Sequence, residues 1–468
     1  MEIPDPPLKT PLYPKLDYYQ KPPKDPNSKK TRIGWLALFF SCLVNFGSYF
    51  CYDNPQALQT SLYQTMNLDD IKFNALYSVY SFPNIILPFF GGYIIDRIGV
   101  RIGLISLSAL LIIGQGIVTY GVSAKNFPLM VIGRAIFGLG GETLTVAQSA
   151  ITAKYFIGKE IAFAMGMTIS VARLGSSLNS LLSPRLFEWT GKLYMPFLLG
   201  GALCVFSCLM GLILCFLDKR TETKELQFLN PLNKIEIVHL KDLKQFNKLF
   251  YLLVANCFFI YGAFFALNNN LNKIMVTRFG FSQVNAGNYI PIVYVAAALI
   301  TPLFGLLTDY YGRKVLLMLL SSLVFLACHL VMAFLSDTTD EGRVNYGIIG
   351  VLVGIGLFYA SYAAVFWPCV ALVVKRIVIG TSYGIITSFQ NLVLTGLPFA
   401  VAAVQTKTED FHGGYFWTEI MLAGIVGVGV LITLWMFVED RRKAGVLNKP
   451  SEKEWTTVEG GGSEDSQV

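Results

Sequence analysis

Charge is what this chain has least of. Only 14% of its 468 residues are Asp, Glu, Lys or Arg, while 54% are apolar. A water-soluble protein carries nearer a quarter charged, so most of this chain must face lipid or its own interior. Histidine is scarce, with three in all, and the eight cysteines show no CxxC or Cys/His spacing suited to a metal. Those cysteines fall in or at the ends of apolar segments, where they read as small core residues and not as a disulfide framework. Neither a nucleotide-binding loop nor a nucleophile elbow occurs, which leaves an ATP-driven pump or a hydrolase without support. No enzyme activity, cofactor or metal is expected. Nor is there an Asn-x-Ser/Thr acceptor, so no N-linked sugar is predicted. About 30 polar residues precede the first apolar segment, which predicts no cleavable signal peptide.

What the chain does have is long apolar runs. A membrane helix needs about 20 such residues, and about twelve segments qualify: 33–53, 72–95, 102–123, 127–151, 159–183 and 193–217, then 248–271, 283–308, 314–335, 345–373, 380–405 and 415–438. The division predicted is an N-terminal tail (1–32), a six-helix bundle (33–217), a polar linker (218–247), a second six-helix bundle (248–438) and a disordered tail (439–468). Lys and Arg crowd the loops on the side of the termini, at Arg97, Arg101, Lys219, Arg220, Arg313, Lys314, Arg441 and Arg442, while acids such as Asp53, Asp69 and Asp70 gather opposite. That asymmetry predicts cytosolic termini, and it accounts for the net charge of +7 without a nucleic-acid partner.

One phrase is written twice. GGYIIDRIGVR (Gly91 to Arg101) and FGLLTDYYGRK (Phe304 to Lys314) stand at the same place in each half. Gly92, Asp96, Arg97, Gly99 and Arg101 hold the key places in the first copy; Gly305, Asp309, Gly312, Arg313 and Lys314 hold them in the second. A repeated charged hairpin between membrane helices predicts a latch that opens as two halves of a transporter rock. Simple topogenic charge around a tight turn is the alternative. Here the chain resembles the major facilitator superfamily, and GRAIFGLGGE (Gly133 to Glu142) is similar to its fourth-helix motif. The resemblance implies an all-α membrane protein with twelve transmembrane helices, two six-helix bundles and a central cavity.

Two charges stand where lipid should be. Glu142 and Arg173 each lie about 20 Å along their helices, near the middle of the bilayer, where a charge costs several kcal/mol unless it faces a cavity or a partner. Either they form a structural ion pair, or they clamp a zwitterion, with Arg173 on a carboxylate and Glu142 on an ammonium. An extended residue adds about 3.3 Å, so such a clamp would measure dipeptides and exclude longer chains. An organic-anion carrier using Arg173 alone, for a monocarboxylate or phosphate ester, is the other transport reading. Arg134 is expected to be a structural link, and His329 to be hydrogen-bonded within its bundle. Tyr77, Tyr294, Trp367 and Asn269 are candidate cavity walls.

Further phrases narrow the resemblance. FGSYFCYDNPQALQT (Phe46 to Thr60), SVARLGSS (Ser170 to Ser177), RFGFS (Arg278 to Ser282) and GTSYGIITSFQNL (Gly380 to Leu392) are similar to a lysosomal, dipeptide-exporting branch of the superfamily. The resemblance implies broad uniport of dipeptides to the cytosol, with Glu142 and Arg173 on the peptide ends. It also implies a glycosylated accessory membrane protein. Tyr13 and Leu16, in YPKL, have the form of an endolysosomal sorting signal. The Asn268–Asn270 run departs from that branch's seventh helix.

Overall fold

The computed structural model describes residues 29–156, 159–221, 246–337, 344–374, 379–442 and 445–448. The Tyr13–Leu16 signal, most of the 218–247 linker and most of the 439–468 tail lie outside them. The described residues form helices and no strands. Twelve transmembrane segments run through the fold. The first is a succession of four helices, α1 (Lys29–Val44), α2 (Phe46–Tyr52), α3 (Asn54–Ala57) and α4 (Gln59–Met66). The second is α5 (Asp70–Ser81), a 3₁₀ turn (Pro83–Ile85) and α6 (Leu87–Ile98). Then come α7 (Val100–Ser123), α8 (Phe127–Tyr155), α9 (Lys159–Thr190) and α10 (Tyr194–Thr221). The second half holds α11 (Lys248–Thr277), the pair α12 (Gln283–Tyr289) and α13 (Pro291–Tyr311), then α14 (Lys314–Phe334), α15 (Gly347–Val373), α16 (Ile379–Lys407) and α17 (Tyr415–Arg442).

Ten of these segments are long and apolar enough to cross a membrane by composition alone. The other two fall short for physical reasons. Pro83 breaks the second segment at a 3₁₀ turn, because proline lacks the amide hydrogen that would continue the ladder. The fifth, α9, carries Lys159, Glu160, Arg173, Arg185 and Glu188, charges that lower its mean hydropathy. The first segment also outruns the apolar stretch that ends near residue 53. Asp53, Asn54, Gln56 and Gln59 are buried although polar, so the chain keeps crossing on residues that hydropathy reads as a loop.

Apolar side chains form separate cores in the two halves. One large cluster draws only on residues between Leu249 and Leu447; three smaller clusters draw on residues between Ala37 and Cys215. Outward-facing leucines and aromatics such as Leu303, Leu306 and Phe334 remain exposed, as lipid-facing residues must. Both hairpins turn at glycine, with φ +87° at Gly99 and +70° at Gly312, a region that side chains disfavour.

The hydrogen bonds joining the halves among the described residues gather at the face away from the termini, one mid-membrane bond at Arg173 excepted. There Lys273 pairs with Asp70, which also accepts from Tyr63 at 2.6 Å. Gln59 donates to Asn270 at 3.2 Å and Asn270 donates to Asn74 at 3.3 Å. Ser61 donates to Gln283 at 2.6 Å, Gln283 to the Ala57 carbonyl at 3.0 Å, and Arg185 to Asn288 at 2.5 Å.

Candidate functional site: separated charges where the halves meet

Arg173 sits half-buried near the middle of α9. Four rings box its guanidinium: Tyr49 at 5.0 Å, Tyr359 at 5.1 Å, Tyr294 at 5.7 Å and Phe265 at 5.9 Å from Cζ. Tyr49 belongs to α2 of the first half; the others come from α15, α13 and α11 of the second. The box is therefore complete only where the halves meet. Nη2 of Arg173 donates to the Tyr359 hydroxyl, while Nε is buried with no partner. Ring faces attract a guanidinium by about 0.5–2 kcal/mol each, so the box holds the cation without neutralising it.

Glu142 lies half-buried on α8, near enough to Arg173 to feel its charge. No ion pair joins the two among the described residues. The approach of α8 to α5 here needs glycine: a Cβ at Gly141 would stand 2.3 Å from the Tyr80 hydroxyl.

Arg134 is 1% exposed and acts as a tie. Its Nη1 donates to the Cys51 carbonyl at 3.3 Å, Nη2 to Tyr52 at 3.2 Å and Nε to Leu76 at 3.3 Å. Helical geometry would pair the Cys51 carbonyl with the amide four residues on, but that residue is Pro55, which has none. The guanidinium supplies the missing donor and binds the break in the first segment to α5 and α8. Tyr77, Tyr80 and Tyr52 pack around it at 5.1, 5.4 and 5.5 Å.

Asp53 stands at that break, 2% exposed, with Oδ2 unpartnered, and it feels both arginines. Four buried or half-buried charges, two of each sign, thus share one region with no direct ion pair among them. Such an arrangement is formally neutral, leaves lone pairs and donors available, and suits a guest that brings both signs.

Of the residues singled out from sequence, Tyr294 lies in the Arg173 box and Tyr77 lies with Arg134. Trp367 is one ring removed: its centroid is 6.1 Å from Tyr261, which stands 6.5 Å from Tyr359. Asn269 is 1% exposed with Oδ1 unpartnered. The hairpin residues Gly92, Asp96, Arg97 and Asp309 fall on the backbones of α6 and α13. Arg101 pairs with Asp218 at 2.6 Å. The Arg313 amide donates to the Asn448 carbonyl at 2.9 Å. Around Gly305 a Cβ would meet nothing within 4 Å, so no helix packs closely there in this conformation.

Sequence reasoning missed Tyr49, Phe265 and Tyr359, since aromatics in apolar runs carry no mark of what they face. It placed Asp53 in a loop, although the adjoining Asn-Pro pair signals a helix break instead. Glu419 was also missed: it accepts or shares a proton with His329 Nδ1 at 2.6 Å, both side chains being fully buried between α14 and α17.

A family model described as the Major Facilitator Superfamily matches residues 35–398. The lysosomal dipeptide transporter MFSD1 of Danio rerio is 35% identical to this chain over 443 residues, covering 91% of this chain and 90% of that protein. The Homo sapiens protein of the same name is 34% identical over 435 residues, covering 91% and 90%. Among solved structures, the nucleoside transporter NupG superposes with a TM-score of 0.65 at 13% identity, over 86% of this chain and 99% of that one, a likeness of fold alone.

Proposed function

Since this chain belongs to the major facilitator superfamily, whose members are membrane transporters and not enzymes, we propose that it carries dipeptides from the lysosomal lumen to the cytosol by alternating access, as a uniporter. The observation that carries this reading is that Glu142 and Arg173 form no ion pair with each other, although both are half-buried and Arg173 sits in an aromatic box that both halves build. A permanent ion pair would be saturated. Two separated, opposite charges in a poorly hydrated space attract a zwitterion, and the low local dielectric strengthens each contact. Recovery of the desolvation cost requires both ends to be met at once, which favours dipeptides over free amino acids and over longer chains. The names of the MFSD1 relatives support the same substrate class and compartment.

In this reading the hairpin face is cytosolic and the face closed by Lys273–Asp70 and Asn270 is lumenal. The structure then represents a carrier shut toward the lumen. Gly92, Asp96, Arg97, Gly99 and Arg101, with Gly305, Asp309, Gly312 and Arg313, form the latch that closes when the halves rock the other way. Substrate contacts fall to Glu142, Arg173, Tyr294 and Asn269, while Tyr77 and Trp367 stand behind them. Arg134 holds structure. Tyr13 and Leu16 direct sorting, and a glycosylated accessory protein covers the lumenal face.

The test is uptake into proteoliposomes of a dipeptide, a tripeptide and a free amino acid, with and without a pH gradient. Preference for the dipeptide, unaltered by the gradient, is the expected result. Preference for monocarboxylates or phosphate esters, surviving Glu142→Gln, would replace this reading with an organic-anion carrier.

A further inference from the structure

Three helices that build the Arg173 box each continue toward the lumenal face with buried polar side chains, and on two of them those side chains have atoms with nothing to bond. On the first segment, Tyr49 of the box is followed at helical spacing by Asp53 and Gln56. On α9, Arg173 is followed one turn on by Ser176. On α11, Phe265 is followed at four and seven residues by Asn269 and Asn272, which share its face. All five followers are at most 2% exposed. Asp53 Oδ2, both amide atoms of Gln56, Asn269 Oδ1 and both amide atoms of Asn272 lack partners.

These stripes converge. Ser176 lies within hydrogen-bonding reach of the Asp53 carboxylate. The Gln59–Asn270 bond at 3.2 Å and the Gln283–Ala57 bond at 3.0 Å pin the α3 region, which carries Gln56, against α11 and α12. Buried polar groups are normally paired, and six orphaned atoms on segments pinned together in this way mark a site that some occupant satisfies.

We infer that Gln56, Asn269 and Asn272 form a side-chain subsite that selects a primary amide on the second residue of the dipeptide. This rests on the dipeptide reading and adds a preference to it. The residue whose carboxylate lies on Arg173 projects its side chain from the adjoining carbon. One to two helical turns, about 5–10 Å, separate Arg173 from the orphaned atoms, within reach of a glutamine side chain. The subsite offers donors (Gln56 Nε2, Asn272 Nδ2) and acceptors (Gln56 Oε1, Asn269 Oδ1, Asn272 Oδ1) together. A carboxylate brings only acceptors and an ammonium only donors; a carboxamide brings both. An apolar side chain of equal length would leave the orphans buried and unpaired, which is how polar sites reject apolar analogues.

The experiment is competition between Ala-Gln and Ala-Met, peptides of matched length, in proteoliposomes holding the wild type, Gln56→Leu or Asn272→Leu. The wild type is expected to favour Ala-Gln by roughly tenfold or more, and either variant to bring the ratio near one. Thermal stabilisation of purified wild type by each peptide gives the same comparison without relying on a variant that folds. Equal transport and equal stabilisation by the two peptides would overturn the subsite while leaving the dipeptide reading in place. A tenfold ratio that survives both substitutions would assign the preference elsewhere and overturn it too. Failure of both peptides against a transported anion would remove the dipeptide reading and the subsite together.

Discussion

The guanidinium of Arg173 donates to the phenol of Tyr359, and that bond crosses from the first half to the second. In the proposed clamp it occupies the place of the substrate carboxylate. An arriving carboxylate must therefore displace a neutral hydrogen bond, worth about 0.5–1.5 kcal/mol net. Tyr359→Phe removes the competitor and keeps the ring that faces the guanidinium. We predict that the KM for a dipeptide falls about three- to tenfold, read from initial uptake rates. A rise in KM would mean that the phenol contacts substrate itself.

The two charges of the clamp are predicted to behave unequally toward conservative change. Arg173→Lys keeps the charge but loses the two-pronged fit to a carboxylate; a loss of about 10- to 100-fold in kcat/KM is expected, from roughly 1.5–3 kcal/mol for a charged hydrogen bond. Glu142→Gln should cost at least as much for dipeptides. Radiolabelled uptake by each variant, normalised to folded protein, checks both. Full activity in Glu142→Gln would exclude that residue from the clamp.

At the face away from the termini, lumenal in the proposed orientation, Lys273 meets Asp70 and stands 4.4 Å from the ring of Tyr63. Because this pair ties the halves, Lys273→Ala should populate the lumen-open state. A cysteine at buried Ala57, beside the Gln283 tie, would then react faster with an impermeant maleimide from that side. Exchanging the pair as Asp70→Lys with Lys273→Asp should restore slow labelling. If the exchange labels as fast as Lys273→Ala, the pair is not what holds this face shut.

His329 and Glu419 are fully buried partners within the second half. Removing one member of a buried pair costs about 3–5 kcal/mol, whereas replacing both with apolar residues is often neutral. The expectation is a clear fall in thermal stability for Glu419→Leu and recovery in the double variant His329→Leu with Glu419→Leu. Equal unfolding temperatures for wild type and Glu419→Leu would show that the pair contributes nothing.

Much of the architecture was legible because lipid demands long apolar runs, and ten of the twelve crossings meet that demand on composition. The two that fall short of it, at Pro83 and along α9, still read as apolar runs over 72–95 and 159–183. What stayed hidden depends on proximity across the halves. Glu142 and Arg173 stood out because charge is rare in such helices, but nothing linear marks Tyr359 or Phe265 as neighbours of Arg173. Asp53 misled because a charge after an apolar run reads as the end of a helix. In the fold, Arg134 caps the carbonyl that Pro55 leaves free, and the chain goes on crossing with its polar side chains turned toward protein.

The most direct test of the clamp is transport of Ala-Ala against two capped forms, N-acetyl-Ala-Ala and Ala-Ala-amide, by the wild-type protein in proteoliposomes. Each cap removes one charge and keeps the rest of the peptide. The account predicts that either cap lowers transport by about 10-fold or more, since Glu142 loses its ammonium in one case and Arg173 its carboxylate in the other. Transport of N-acetyl-Ala-Ala at the rate of Ala-Ala would contradict it.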